Sequence, residues 1–245
     1  MTPRRSISNY ISILVFSILM LFAWQAQAQG QTQGKAQNQA QEKADENVVQ
    51  VEPTDSVPFF NGFAVSADLV GPLQLFVGDY GQYEAALRIN LKDRWFPIFE
   101  LGYGKGEHND EVTLISTKTN APYGRVGIDF NLMKNKHDKY RIYVGVRYAY
   151  TNFKTSYSHP DIKDTYWGGT SPWGAEDVSG KYHWAEAVFS VDASIWGPIH
   201  LGWSARYKKR LSYSKGDIGN AWYVPGFGKN GSTRLGGTFN VIIDI

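Results

Sequence analysis

From Phe59 to the C-terminus, apolar and polar residues alternate in stretch after stretch. YRIYVGVRYAY, residues 140–150, shows the pattern in full. Tyr140, Ile142, Val144, Val146, Tyr148 and Tyr150 share one side. Arg141, Tyr143, Gly145, Arg147 and Ala149 share the other. A strand sends alternate side chains to opposite faces, so this is a strand with one apolar face and one face carrying two arginines. Two inverse arrangements satisfy such a chain. Either the apolar face is the core of a soluble protein, or the arginines are inside and the outside is lipid.

The signal recurs in eight segments, at about 59–70, 81–91, 95–104, 121–132, 139–153, 181–196, 199–212 and 233–244. Each approaches or exceeds the roughly 9–11 residues that cross a bilayer when tilted. An even count is what a single-chain bacterial barrel requires. The connections alternate as well. Short ones fall at Lys92-Asp93-Arg94, at 134–138 and at Gly197-Pro198, and long ones at about 71–80, 105–120, 154–180 and 213–232. Short turns at one end and long loops at the other are the outer-membrane arrangement, with both termini on the periplasmic side. The expected fold is an all-β, eight-stranded antiparallel up-and-down transmembrane β-barrel over residues 59–245.

Alternation alone does not decide which face is inside, because a lipocalin-like barrel with an apolar ligand cavity shows it too. The charges favour a polar interior. The polar face carries Asp68, Glu84, Glu100, Asp129, Glu186, Asp192 and Asp244 against Arg88, Arg125, Arg141, Arg147, Arg206, Lys208 and Arg234, seven of each sign. A buried lumen needs its charges paired, and arginine is the better buried partner. Gly102, Gly127, Gly145, Gly202 and Gly236 lie on the same face and leave room for long side chains. Trp95, Tyr103, Tyr140, Tyr148, Tyr150 and Tyr207 sit near strand ends on the apolar face, where they would form interfacial girdles.

The first 28 residues read as a secretory signal. Arg4 and Arg5 form the positive end, Ile11 to Trp24 the apolar stretch, and Ala26-Gln27-Ala28 the cleavage site. No Cys follows, or occurs anywhere, so this is not a lipoprotein signal. Residues 29–58 are rich in Gln, Ala and charge, too polar to offset their ordering entropy, and are expected to be a disordered periplasmic lead-in. Removing Arg4 and Arg5 from the 25 basic residues leaves 23 against 23 acidic ones. A neutral mature chain argues against nucleic acid as a partner.

The chain resembles the small OmpA/OmpX-type outer-membrane barrels. The stretch DRWFPIFELGYG (93–104), with DLVGPL (68–73) before it, is similar to an uncharacterised outer-membrane barrel family of Bacteroidetes-type bacteria. The resemblance implies fold and location. It implies outer-membrane lipids, periplasmic chaperones and the barrel-insertion machinery as partners.

Eight strands enclose a space just wide enough for side chains, so the lumen should be packed and function should lie elsewhere. The expected lumen network comprises Glu84, Arg88, Glu100, Arg125, Asp129, Arg141, Arg147, Glu186, Asp192, Arg206 and Arg234. The leading expectation is a non-enzymatic protein of envelope structure or surface binding, with no cofactor. Trp167, Trp173, Trp222 and Tyr223 on two aromatic-rich loops either contact an extracellular ligand or pack together to order those loops. An enzyme acting on lipid or peptide needs a positioned base. Of the five histidines, His183 and Glu186 fall on opposite strand faces, and Ser158-His159 is mere adjacency. Glu107, His108, Asp110 and Glu111 share a loop, which reads as a solvated acidic turn before a Ca²⁺ site.

Overall fold

The structure, a computed structural model, describes residues 58–133, 140–163, 166, 168–214, 216 and 218–245. The targeting segment, nearly all of the lead-in and the turn at 134–138 with His137 lie outside the described residues.

The elements run β1 (Phe60–Asp68), α1 (Val70–Val77), β2 (Tyr80–Leu91), β3 (Trp95–Asn109), β4 (Ser116–Asn131), β5 (Arg141–Lys163), β6 (Thr170–Trp196), β7 (Ile199–Ser214), β8 (Tyr223–Val224), β9 (Gly228–Lys229) and β10 (Thr233–Asp244). Eight of them close into one antiparallel barrel in the order β1-β10-β7-β6-β5-β4-β3-β2. Each strand pairs with its neighbour in sequence, and β10 returns to β1 through Ala64↔Asp244 to Asp68↔Asn240. The expected all-β, eight-stranded barrel is the observed fold.

The short β2–β3 turn shows how the sequence sets the end of a hairpin. Lys92 and Asp93 both have positive φ, 55° and 52°. That turn geometry matches the twist of the flanking strands. Three asparagines hold it: Asn61 reaches the Asp93 carboxylate, Asn90 accepts from the Asp93 N–H at 2.9 Å, and Asn131 donates to its carbonyl at 3.1 Å.

The two faces of the wall separate as the alternation requires. Leu87, Phe99, Leu101, Val126, Ile128, Val144, Val146 and Phe189 are exposed on the outside, while Glu100, Arg125, Asp129, Arg147, Glu186 and Ser190 are buried within. Trp95 and Tyr103, both exposed, bracket the outer face of β3. They are separated by about 27 Å of strand, which on a tilted strand spans close to the apolar band of a membrane barrel.

Three of the four long connections are more ordered than expected. The loop expected at 154–180 is mostly a β-ribbon: β5 and β6 stay paired out to Lys163↔Thr170. Its residues are polar on both sides, so no hydrophobic period marks it. The loop at 105–120 shrinks likewise, since β3 and β4 remain paired to Asn109↔Ser116. The connection at 71–80 holds α1. Asp68 accepts the Val70 and Gly71 N–H groups at 3.0 and 2.9 Å, which satisfies donors that a helix start leaves free.

Candidate functional site

The fourth long connection turns back into the barrel. Residues 221–229 form a hairpin, β8 paired with β9, inside the loop end of the lumen. Ala221, Tyr223, Val224 and Phe227 are buried in it. Phe227 packs on Tyr182 and Trp184, with ring centroids 4.9 and 5.9 Å apart. Gly226 makes the tight corner, at φ +80°, and a Cβ there would meet the Tyr123 ring at 2.6 Å. Hydrogen bonds in both directions hold the hairpin to the barrel. Arg125 donates to Gly226 O at 2.8 Å and Lys208 to the same oxygen at 2.6 Å. Tyr223 donates to Gly81 O at 3.1 Å, and Tyr182 to Gly231 O at 2.6 Å. We refer to this hairpin as the plug.

Beneath the plug lies a charge network. Glu100 is its hub, touched by three arginines: Arg125 at 3.0 Å, Arg147 at 3.2 Å and Arg206 at 2.7 Å. Glu84 takes Arg125, Arg206 at 3.2 Å and the Tyr123 hydroxyl at 2.7 Å. Glu186 takes the Trp184 indole N–H at 2.6 Å and lies 3.0 Å from Arg125 Nε. Arg147 grips Asp129 through both terminal nitrogens, at 2.6 and 2.9 Å. Arg88 bridges Asp192 and Asp129. Strand register explains much of this. Glu100 sits directly opposite Arg125, and Arg147 opposite Glu186, so adjacent strands place opposite charges side by side. Gly127 and Gly145 leave the space that Arg147 and Asp129 fill, because a Cβ at either would collide with them.

Other expected members lie at the ends. Arg141, at the turn end, stands 3.6 Å from Asp93 and 3.8 Å from Asp244, so its pairing is loose. Arg234 is a correction. It does not enter the network but donates to Lys229 O at 2.9 Å, beside the plug, because β10 reaches that height above the buried glutamates. Asp68, on the lumen face, serves the α1 N-terminus.

The four aromatic candidates separate. Tyr223, expected on an exposed loop surface, is instead 2% exposed inside the barrel, since its loop folds inward. Trp222 is half-buried and stacks on His108, centroids 4.2 Å apart and planes within 3°. Trp173 is 40% exposed on the ribbon, opposite His159. Trp167 lies outside the described residues.

The acidic turn does not gather a metal site. Glu107 pairs with Lys118, His108 with Asp79, and Asp110 accepts the Val112 and Thr113 N–H groups. Those backbone bonds hold the Asp110 carboxyl below its usual pKa. Among the described residues no group of three potential ligands converges. His183 meets the Tyr148 hydroxyl at 2.7 Å on the outer face, away from Glu186. His200 lies 3.2 Å from Asp244 at the turn end, but no Ser, Thr or Cys lines the cavity beside it.

The missed feature is the plug. AWYVPGF, residues 221–227, is an apolar run interrupted only by turn residues, and its density was the available signal for burial.

A family model described as a domain of unknown function, DUF6048, matches residues 7–244. No curated protein matches the chain at a significant level. Among solved structures the chain is similar to Neisserial surface protein A, at 12% identity and TM-score 0.42, over 76% of this chain and 99% of that one. It is similar also to a major outer membrane protein from Thermus thermophilus, at 12% identity and TM-score 0.45, over 75% and 98%. The barrel assignment rests on the chain's own strand pairing.

Proposed function

The chain belongs to the DUF6048 family, and we propose that it is a non-enzymatic outer-membrane β-barrel, closed to free solute flow, acting in envelope structure or in surface binding through its ribbon. The observation that carries this reading is the sense of the wall: hydrocarbon outside, a paired charge network within. A soluble barrel of this size would bury Leu101, Val146 and Leu235, which are exposed by 72, 60 and 77%. Exposed apolar surface of that extent marks a partner phase, and around a closed barrel that phase is lipid.

The lumen supports the closed state. Among the described residues, cavities of about 80, 20 and 80 Å³ lie along it, room for a few water molecules each at most. The Glu100 hub lines the second of these and the plug lines the third. In this reading the short turns face the periplasm, where the lead-in following a cleaved signal would lie. Chaperones and the insertion machinery handle the chain on its way, and the ribbon with Trp173 is the surface offered to an extracellular ligand.

The test is fractionation of cells expressing the full chain, followed by a gel of unboiled and boiled samples. A band in the outer-membrane fraction that shifts on boiling supports the proposal. A soluble, unshifted protein overturns it and turns attention to a lipocalin-like barrel with an apolar ligand.

A further inference from the structure

The barrel wall is incomplete on one side of its loop end. β1 stops pairing with β10 at Asp68↔Asn240 and with β2 at Ala67↔Ala85. Above those points β2 pairs only with β3, and β10 only with β7. Two strand edges therefore face one another with no strand between them. Phe239 marks where the β10 edge leaves the sheet: its N–H meets the Asp68 carboxylate at 3.3 Å and its carbonyl the Leu69 N–H at 2.8 Å. Backbone groups of alternate residues share an edge, so Gly237 and Leu235 present theirs to the gap.

Helix α1 lies in the gap and packs more closely on β2 than on β10. It lies backbone against backbone on β2, where Gly71 and Gly81 meet: a Cβ on Gly81 would lie 2.7 Å from Gly71 O. On the β10 side a cavity of about 80 Å³ remains. Gln74 of α1, Leu235 to Thr238 of β10 and the basic residues Arg125, Arg206, Lys208 and Arg234 line it. No Asp or Glu does.

The basic residues are not equally committed. Arg125 and Arg206 are held by Glu84, Glu100 and Glu186. Glu186 is also the cross-strand neighbour of Lys208; its Oε1 meets Trp184 and Arg125, while its Oε2 lies 3.5 Å from Arg206 and accepts no hydrogen bond. Among the described residues, Lys208 and Arg234 hydrogen-bond only to backbone carbonyls. The Arg234 Nε is buried and makes no hydrogen bond. Outside the gap the surface turns apolar: Leu235 is exposed on the wall, and Leu73, Phe76 and Val77 on α1.

We infer that this lateral gap is a binding site for the phosphate headgroup of a membrane lipid in the leaflet at the loop end, with the phosphate against Arg234 and Lys208 and the acyl chains on Leu235 and α1. A cavity lined by cations with no lining carboxylate selects an anion. Its opening onto an apolar wall selects an anion carried on hydrocarbon. The inference rests on the membrane reading proposed above, and the test separates the two.

The test is native mass spectrometry of the full chain in detergent, after the gel shift has established a closed barrel. The protein is titrated with dimyristoyl phosphatidic acid, with dimyristoyl phosphatidylcholine as the zwitterionic control and inorganic phosphate as competitor. We expect one phosphatidic acid bound about tenfold more tightly than phosphatidylcholine, since its monoester phosphate carries more negative charge and no trimethylammonium to oppose the two cations. That preference is lost in Arg234→Gln and in the charge-neutral block Gln74→Trp, with the gel shift retained in both. Equal binding of the two lipids overturns the site, as does an undiminished preference in Arg234→Gln. Displacement by inorganic phosphate overturns the lipid source. A chain with no gel shift fails earlier and overturns the membrane reading, and the site with it.

Discussion

Arg125 lies between two parts of the molecule: its Nη2 donates to the plug carbonyl of Gly226 at 2.8 Å, and its Nη1 to Glu100 at 3.0 Å. One guanidinium thereby joins the hairpin closing the lumen to the carboxylates filling it. Removing it leaves Glu84, Glu100 and Glu186 short of a partner in a buried site. Arg125→Gln is expected to destabilise the barrel by about 3–5 kcal/mol, the range for breaking a buried pair from one side. The exposed pair of Lys154 with Asp177, at 3.1 Å, is the control, and Lys154→Gln should cost about 0–1 kcal/mol. Urea titration of both variants in vesicles reads the difference.

The plug corner depends on a backbone conformation that only glycine adopts freely. Gly226→Ala is strained at φ +80° and drives a Cβ into the Tyr123 ring. The expected cost is about 1–3 kcal/mol, confined to the hairpin. Hydrogen exchange should accelerate across 221–229 and stay unchanged in β3 to β6. Equal exchange in variant and parent would mean that Gly226 is not what shapes the corner.

On the outer face of β5, Val144 is 44% exposed. Val144→Arg places a cation against hydrocarbon and should reduce the folded yield in vesicles, at a cost of about 2–4 kcal/mol near mid-membrane. Val144→Ile should leave the yield unchanged. Equal yields for the two would contradict the assignment of that face to lipid.

The turn at 110–115 is expected to respond to acid. Backbone hydrogen bonds from Thr113 and Val112 depress the Asp110 pKa. A folded pKa below the unfolded one contributes order that is present above the unfolded value and fades as pH falls through the folded one. The Val112 amide should therefore exchange faster, relative to the intrinsic rate, as pH drops below the ordinary aspartate range, and Asp110→Ala should show the fast rate throughout. A Val112 amide insensitive to pH in the parent would contradict the cap.

What the sequence makes legible follows from what the outer face and the lumen impose. Strand parity is readable wherever one face is apolar, so Tyr140 to Tyr150 and Leu87 to Leu91 announce themselves. The ribbon at 154–163 carries Lys, Thr, Ser and Tyr on both faces, and no hydrophobic period survives there. Which charges share the lumen follows from parity. Which ones meet does not, because a register slip of one residue would flip every side chain and nothing local to a strand fixes its pairing. Glu100 therefore gives no sign in sequence of being a hub for three arginines. The plug is hidden for a different reason. Tyr223 and Phe227 flank Pro225-Gly226, and turn residues read as an exposed loop until the lumen is known to have room for them.

The central claim is that the valines of β5 face lipid and the arginines face inward. The chain has no cysteine, so a single one introduced at Val146 labels one site. The most direct measurement places an environment-sensitive fluorophore on Val146→Cys in proteoliposomes. Brominated acyl chains and aqueous iodide serve as competing quenchers, with Trp173→Cys on the ribbon as the reference. The account predicts quenching at 146 by brominated lipid and not by iodide, and the reverse at 173. Iodide quenching at 146, with no effect of brominated lipid, would contradict it and turn the barrel inside out.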